Sequence, residues 1–236
     1  MRISPDLVIQ AYRQGLFPMA ETRLGDRVYW LDPEYRGILP LEGFHLSRRL
    51  RRTVLSAMFE VAVDRDFAGT IAGCAAPASG RADTWINPDI LHLFTELYRM
   101  GYGHSVECWR DGALVGGLYG VAIGGAFFGE SMFSHARDAS KVALVHLVVR
   151  LRLGGFRLLD TQFITRHLTQ FGAVEIPRDA YHAALTASLD LKAIWMPAPD
   201  EAAFAAELDA LSAGRDRRAG LTWGQADLGR ADLEPG

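Results

Sequence analysis

Three polar side chains stand where the surrounding residues would otherwise predict a core. In "GGAFFGESMFSHARDASKVAL", residues 124–144, a glycine-rich apolar run leads to one carboxylate, Glu130. Glutamate is rarely buried unless paired, so Glu130 either faces water or meets a cation. In "LLDTQ" Asp160 precedes Gln162 by two positions. On a strand these two side chains share a face, and a carboxylate beside an amide can hold an amine between them. The plainer alternative is a solvated strand-end acid and a glutamine on an amphipathic face, and spacing alone favours it.

Other chemistries find little support. Gly129-Glu130-Ser131-Met132-Phe133 begins like a nucleophile elbow, but Phe133 replaces the second glycine. "GGLYGVAIGG" has neither GxGxxG spacing nor a phosphate-loop lysine, so its glycines read as points of close backbone approach. The seven histidines show no HExxH spacing, and His104 and His167 read equally well as structural residues. Cys74 and Cys108 are too few for a disulfide framework or a zinc site, which predicts two buried thiols and no metal.

The elements that must carry these residues are legible from caps and periodicity. Ser4-Pro5 opens and Gly15 stops a short helix over 5–14. A turn-rich stretch follows, with short strands between Pro18, Pro33 and Pro40. "HLSRRLRRTVLSAMF" predicts a helix with Leu46, Leu50 and Val54 on one stripe and Arg48, Arg49 and Arg52 away from it. "FEVAVDRDF" alternates like a strand, "DFAGTIAGCAA" reads as a helix, and residues 77–81 as a loop. Another helix starts after Asn87-Pro88 and stops at Gly101. "HSVECW", "LVGGLYGVAI" and "AFFG", joined by Asp111-Gly112 and Gly124-Gly125 turns, predict an antiparallel meander whose third strand ends at Glu130. Asp138 or Ser140 then caps a helix running to Gly154-Gly155. Strand, short helix, strand and helix complete the pattern to Leu189, giving an α+β fold with a mixed, largely antiparallel sheet. Residues 200–213 read as helical and 214–236 as disordered.

With 236 residues, 49% hydrophobic and 22% charged, the chain has the composition of a globular protein with a sizeable core. It lacks a signal-peptide h-region and any run of eighteen apolar residues, so a cytoplasmic location and no membrane partner are expected. The net charge of −3 is unevenly spread. Residues 200–236 hold eight acids and four arginines, leaving 1–199 at net +1. A nucleic-acid partner therefore needs a local patch. Arg48, Arg49, Arg51 and Arg52 are the best candidate, with a solvated helix face as the plain alternative.

Taken together, "FPM", "TWI", "GHSVECW", "LVGGLYGVAIGGAFFGESMFS", "DASKVAL", "LLDTQ" and "HLTQFGAVEIPR" closely resemble the leucyl/phenylalanyl-tRNA–protein transferases. The resemblance runs in order from about residue 5 to about residue 190; the tail past Trp195 lies outside it. It implies a small N-terminal domain (1–60), a GNAT-like catalytic domain (61–195) and a tail (196–236). It also implies an enzyme that moves Leu, Phe or Met from aminoacyl-tRNA to the α-amine of proteins beginning with Arg or Lys, creating a degradation signal. No cofactor is expected, and a monomer is. Asp160 and Gln162 become the catalytic pair: a neutral amide cannot be a base, so Gln162 positions the amine while Asp160 polarises that contact or takes the proton. Glu130 meets the cationic acceptor. Leu118, Phe127, Gly129, Leu147 and Leu151 surround the transferred side chain, and Trp85 and Met19 the terminal adenosine. The arginine helix takes tRNA phosphates. Rival readings are an acyl-CoA-dependent N-acyltransferase, opposed by the missing R/Q-x-x-G-x-G/A loop, and a non-catalytic RNA-binding module, for which no aromatic-rich motif is present.

Overall fold

The computed structural model describes residues 3–20, 28–77 and 84–213. The loop expected at 78–81 and the tail from 214 onward lie outside these residues.

The elements follow the capping chemistry closely. Helix α1 (Pro5–Arg13) is capped by Ser4, whose side chain accepts from the Leu7 amide, and it buries Val8 and Tyr12 on one face. Strands β1 (Phe17–Ala20) and β2 (Val28–Leu31) form a separate two-stranded ribbon, and β3 (Tyr35–Ile38) comes next. Helix α2 (Arg48–Leu55) is capped by Ser47 and buries Leu50. After β4 (Glu60–Val63), helices α3 (Phe67–Ala75) and α4 (Pro88–Arg99) begin at Asp66 and Asn87, each accepting from an amide three residues on. The meander is β5 (Gly103–Arg110), β6 (Ala113–Ile123) and β7 (Ala126–Ser134). Then come α5 (Ala139–Leu153), β8 (Leu158–Gln162), α6 (Arg166–Thr169), β9 (Val174–Pro177), α7 (Arg178–Leu189) and α8 (Glu201–Ala213).

The α+β class holds. Seven strands form one sheet in the order β4-β5-β6-β7-β8-β3-β9, antiparallel throughout except for the parallel β7/β8 pair joined through α5. Alternation along the strands feeds two cores. Leu118 and Phe127 face α2, α5 and α8; Tyr119 and Phe128 face α1, α3, α4 and α7. The first sixty residues contribute β3 next to one edge of this sheet, between β8 and the edge strand β9. Beyond Trp195, α8 docks on α5 through buried Leu208 and Leu211, and Glu207 accepts from Arg152.

One expectation changes. The third meander strand does not end at Glu130 but continues to Ser134. Tyr119 pairs with Ser131 while Gly120 pairs with Gly129, which leaves Glu130 as the unpaired residue of a β-bulge. Gly120 permits this approach, because a Cβ there would lie 2.3 Å from the Phe128 carbonyl oxygen.

Candidate active site

The site forms where two strands part. β7 and β8 pair only from Ala126/Leu158 to Phe128/Asp160. Past that point β7 stays with β6 while β8 follows β3, and a cavity of about 800 Å³ opens between them. Two irregularities aim side chains into it. The bulge presents Glu130, and Gln162 adopts a left-handed φ of +56° at the end of β8.

Glu130 and Gln162 meet there. The Tyr12 hydroxyl donates to Glu130 Oε1 at 2.6 Å, and Gln162 Nε2 lies 3.5 Å from the same oxygen. Burial pushes the Glu130 carboxyl up to about 8. Nearby Asp160 adds to the rise, while the Tyr12 bond and Arg36 oppose it. A carboxyl poised near neutrality suits binding a cation or exchanging a proton.

Asp160 is placed differently from Gln162. It is fully buried and does not line the cavity. Arg36 Nη2 donates to its Oδ2 at 2.7 Å and Arg36 Nε to Oδ1 at 3.0 Å; Tyr181 donates to Oδ2 at 2.7 Å. The Gln162 amide donates to Oδ1 at 2.8 Å. Burial opposes the Arg36 charge, yet Asp160 outweighs it and raises the guanidinium pKa. Arg36 also donates to the Gly15 carbonyl and lies between the Phe17 and Tyr181 rings, 4.4 Å from each centroid. With its oxygens engaged by the protein, Asp160 is arranged to hold the Gln162 backbone.

Of the other residues singled out in the sequence, Leu118, Gly129, Leu147, Trp85 and Met19 line the cavity. Phe127 and Leu151 do not: both are fully buried, and Phe127 stacks on Trp195 with centroids 5.7 Å apart. Sequence reasoning missed Tyr12, Met132, Leu144, Leu159 and Leu168, the last four completing the apolar wall. Met132, beside Glu130 in "GESM", carried the most direct signal; Tyr12 reads as core on the apolar stripe of α1. Five buried side-chain polar atoms among the described residues have no hydrogen-bond partner, and three belong to cavity-lining residues: Tyr119 OH, Thr161 Oγ1 and His167 Nε2. That concentration favours a ligand with polar atoms. His104, by contrast, is tied to Asp64 at 2.9 Å and stacked on Trp195. Both cysteines are buried and neither forms a disulfide, and burial pushes the Cys108 thiol up to about 12.

The arginine patch divides. Arg48, Arg51 and Arg52 line a groove of about 760 Å³ between α2 and α8, where Arg51 pairs with Asp209. Arg49 instead pairs with Asp138 at 2.6 Å.

The chain matches two family models: leucyl/phenylalanyl-tRNA protein transferase over residues 38–186, and the N-terminal domain of that family over residues 1–34. A leucyl/phenylalanyl-tRNA–protein transferase from Paramagnetospirillum magneticum is 58% identical over 187 residues, covering 79% of this chain and 90% of the relative. The transferase from Rhodospirillum rubrum is 56% identical, covering 80% and 89%. That from Maricaulis maris is 53% identical, covering 87% and 95%. No helix among the described residues is long and apolar enough to cross a membrane. The chain belongs to the leucyl/phenylalanyl-tRNA–protein transferase family.

Proposed function

We propose that the chain transfers Leu, Phe or Met from aminoacyl-tRNA to the α-amine of proteins beginning with Arg or Lys, acting as a cytoplasmic monomer and creating a degradation signal. The observation that carries this reading is the Glu130–Gln162 pair at the parting of β7 and β8, beside an apolar cavity that also contains Trp85 and Met19. The ester is already activated, so direct aminolysis suffices. The acceptor nitrogen attacks the ester carbonyl, the new C–N bond forms, and the bond to the ribose 3′ oxygen breaks.

Two protons must leave the α-ammonium, whose ordinary pKa is about 7.7–8.0. The first passes to the Glu130 carboxylate, which is poised to take it because burial has brought its own pKa to about 8. The second passes to the departing 3′ oxygen. Gln162 orients the nitrogen, and orientation can supply roughly 7–11 kcal/mol in favourable cases. Asp160 acts through the Gln162 backbone, which it fixes at 2.8 Å. The transferred side chain lies against Leu118, Met132, Leu144 and Leu147, and the adenosine against Trp85 and Met19.

The test is incubation with Leu-tRNA and an Arg-initiated peptide, with leucyl-coenzyme A as the control donor. Transfer from the thioester but not from tRNA would support the N-acyltransferase alternative and defeat this reading. Binding of tRNA without transfer would defeat it equally.

A further inference from the structure

An ion network at the rim of the cavity has no part in the chemistry above. Asp138 precedes α5 at the position where a side chain would normally cap the helix, yet it makes no cap bond and adopts a left-handed φ of +68°. Its carboxylate, only 8% exposed, instead gathers three cations: Arg49 at 2.6 Å, Lys141 at 3.3 Å and Arg137 at 3.8 Å. One acid among three cations leaves two positive charges in excess. The Arg49 contact holds the Asp138 carboxyl below its ordinary range, so the acid stays ionised and holds the three cations close together.

Location gives the cluster its meaning. Ser134, His135 and Ser140 line the cavity from the same β7–α5 connection, and Lys141 directly follows Ser140. Arg137 is 87% exposed and Arg49 50% exposed, so both remain open to a partner from solvent. On its other side the network reaches α2 through Arg49, and α2 carries the arginines of the second groove. A donor whose last nucleoside occupies the cavity must lead a polyanion out of it, and this rim carries excess positive charge.

We infer that Arg137, Lys141 and Arg49, gathered by Asp138, form a phosphodiester-binding site for the single-stranded RNA just 5′ of the terminal adenosine. This rests on the transferase reading and adds to it the path of the donor. Were Asp138 only a tie between α2 and α5, loss of the cations would alter stability and treat every donor alike.

Three leucylated donors separate these cases: 3′-leucyl-adenosine, which has no phosphodiester, a leucylated CCA trinucleotide, and Leu-tRNA. Arg137→Ala and Lys141→Ala should each lower kcat/KM about tenfold for the trinucleotide and for tRNA, and leave the nucleoside unaffected. With the trinucleotide, the log–log salt slope should shrink by about 0.7 per lost contact. Arg48→Ala with Arg52→Ala should weaken only the tRNA arm. Equal losses with all three donors, or no loss with the trinucleotide, would overturn the rim site. Failure of the parent protein with every donor would instead overturn the transferase reading. Arg137 is the most exposed of the three, so its variant decides the question even if Lys141→Ala does not fold.

Discussion

Glu130→Gln should make the protein more stable and less active, by amounts that depend on pH in a defined way. The folded-state carboxyl titrates at about 8, against an ordinary value of 4.5. Between those limits the folded state holds a proton that the unfolded chain has released. Stability therefore falls as pH rises through this window, the reverse of the usual paired carboxylate. At 1.36 kcal/mol per pKa unit, the full penalty above pH 8 reaches at most about 5 kcal/mol. Glutamine resembles the protonated acid and still offers Tyr12 an acceptor, but it has nothing to titrate. Urea unfolding at pH 5, 6.5 and 8.5 should give a variant close to the parent at pH 5 and increasingly more stable above it. Parallel pH slopes for the two proteins would refute the argument. In transfer assays the same change removes both the charge that faces the acceptor and the proton acceptor. Truncating a buried charge partner costs roughly 2–5 kcal/mol, a loss of about thirtyfold or more in kcat/KM for Arg-initiated peptide. Unchanged peptide kinetics would reduce Glu130 to a bulge residue with no role in transfer.

Other outcomes follow from the same geometry. A chain ending at Pro199 should lose thermal stability, because each of Leu208 and Leu211 contributes about 1.5–3 kcal/mol when buried; an unchanged melting temperature would mean that α8 does not hold the core. Leu147→Ala should enlarge the cavity and favour Phe over Leu donors, whereas Leu151→Ala, away from the wall, should cost about 2–5 kcal/mol of stability and leave donor preference alone. Competition between charged tRNAs and urea melts separate the two. Tyr119→Phe deletes a hydroxyl without a partner in the protein, so unfolding should move to equal or higher urea; a drop would reveal a bond within the fold. Arg48→Ala with Arg52→Ala should flatten the salt dependence of tRNA binding by about 0.7–0.9 in log–log slope per lost contact, and an unaltered slope would return α2 to a solvated face.

What could be read from the sequence, and what could not, divides according to how local the cause is. The meander was legible because Asp111-Gly112 and Gly124-Gly125 are turn signals in themselves, and α4 because Asn87-Pro88 caps it from within its own first turn. Residues 200–213 were legible as a helix, but what its Phe204, Leu208 and Leu211 pack against is the core around α5, some fifty residues upstream. The residues that shape the site depend on partners far away in the chain. No periodicity in "AFFGESMF" announces a bulge, because a bulge is a mismatch of count between two strands, and here the partner is the glycine-rich β6. Arg36 in "EYRGIL" looks like an exposed strand residue until Asp160 and Tyr181 arrive to pair with it and cover it. Asp160 and Gln162 illustrate both sides. Their identity and spacing singled them out, and an ideal strand would have placed them on one face as equal partners. The bond from the Gln162 amide to Asp160, with the left-handed φ at 162, gives them different tasks. Asp160 anchors the backbone beneath the cavity while Gln162 presents its amide within it, and the carboxylate that lines the cavity beside that amide is Glu130. In the proposed transfer, both side chains reach the substrate through departures from regular strand geometry, one on each side of the gap where β7 and β8 separate.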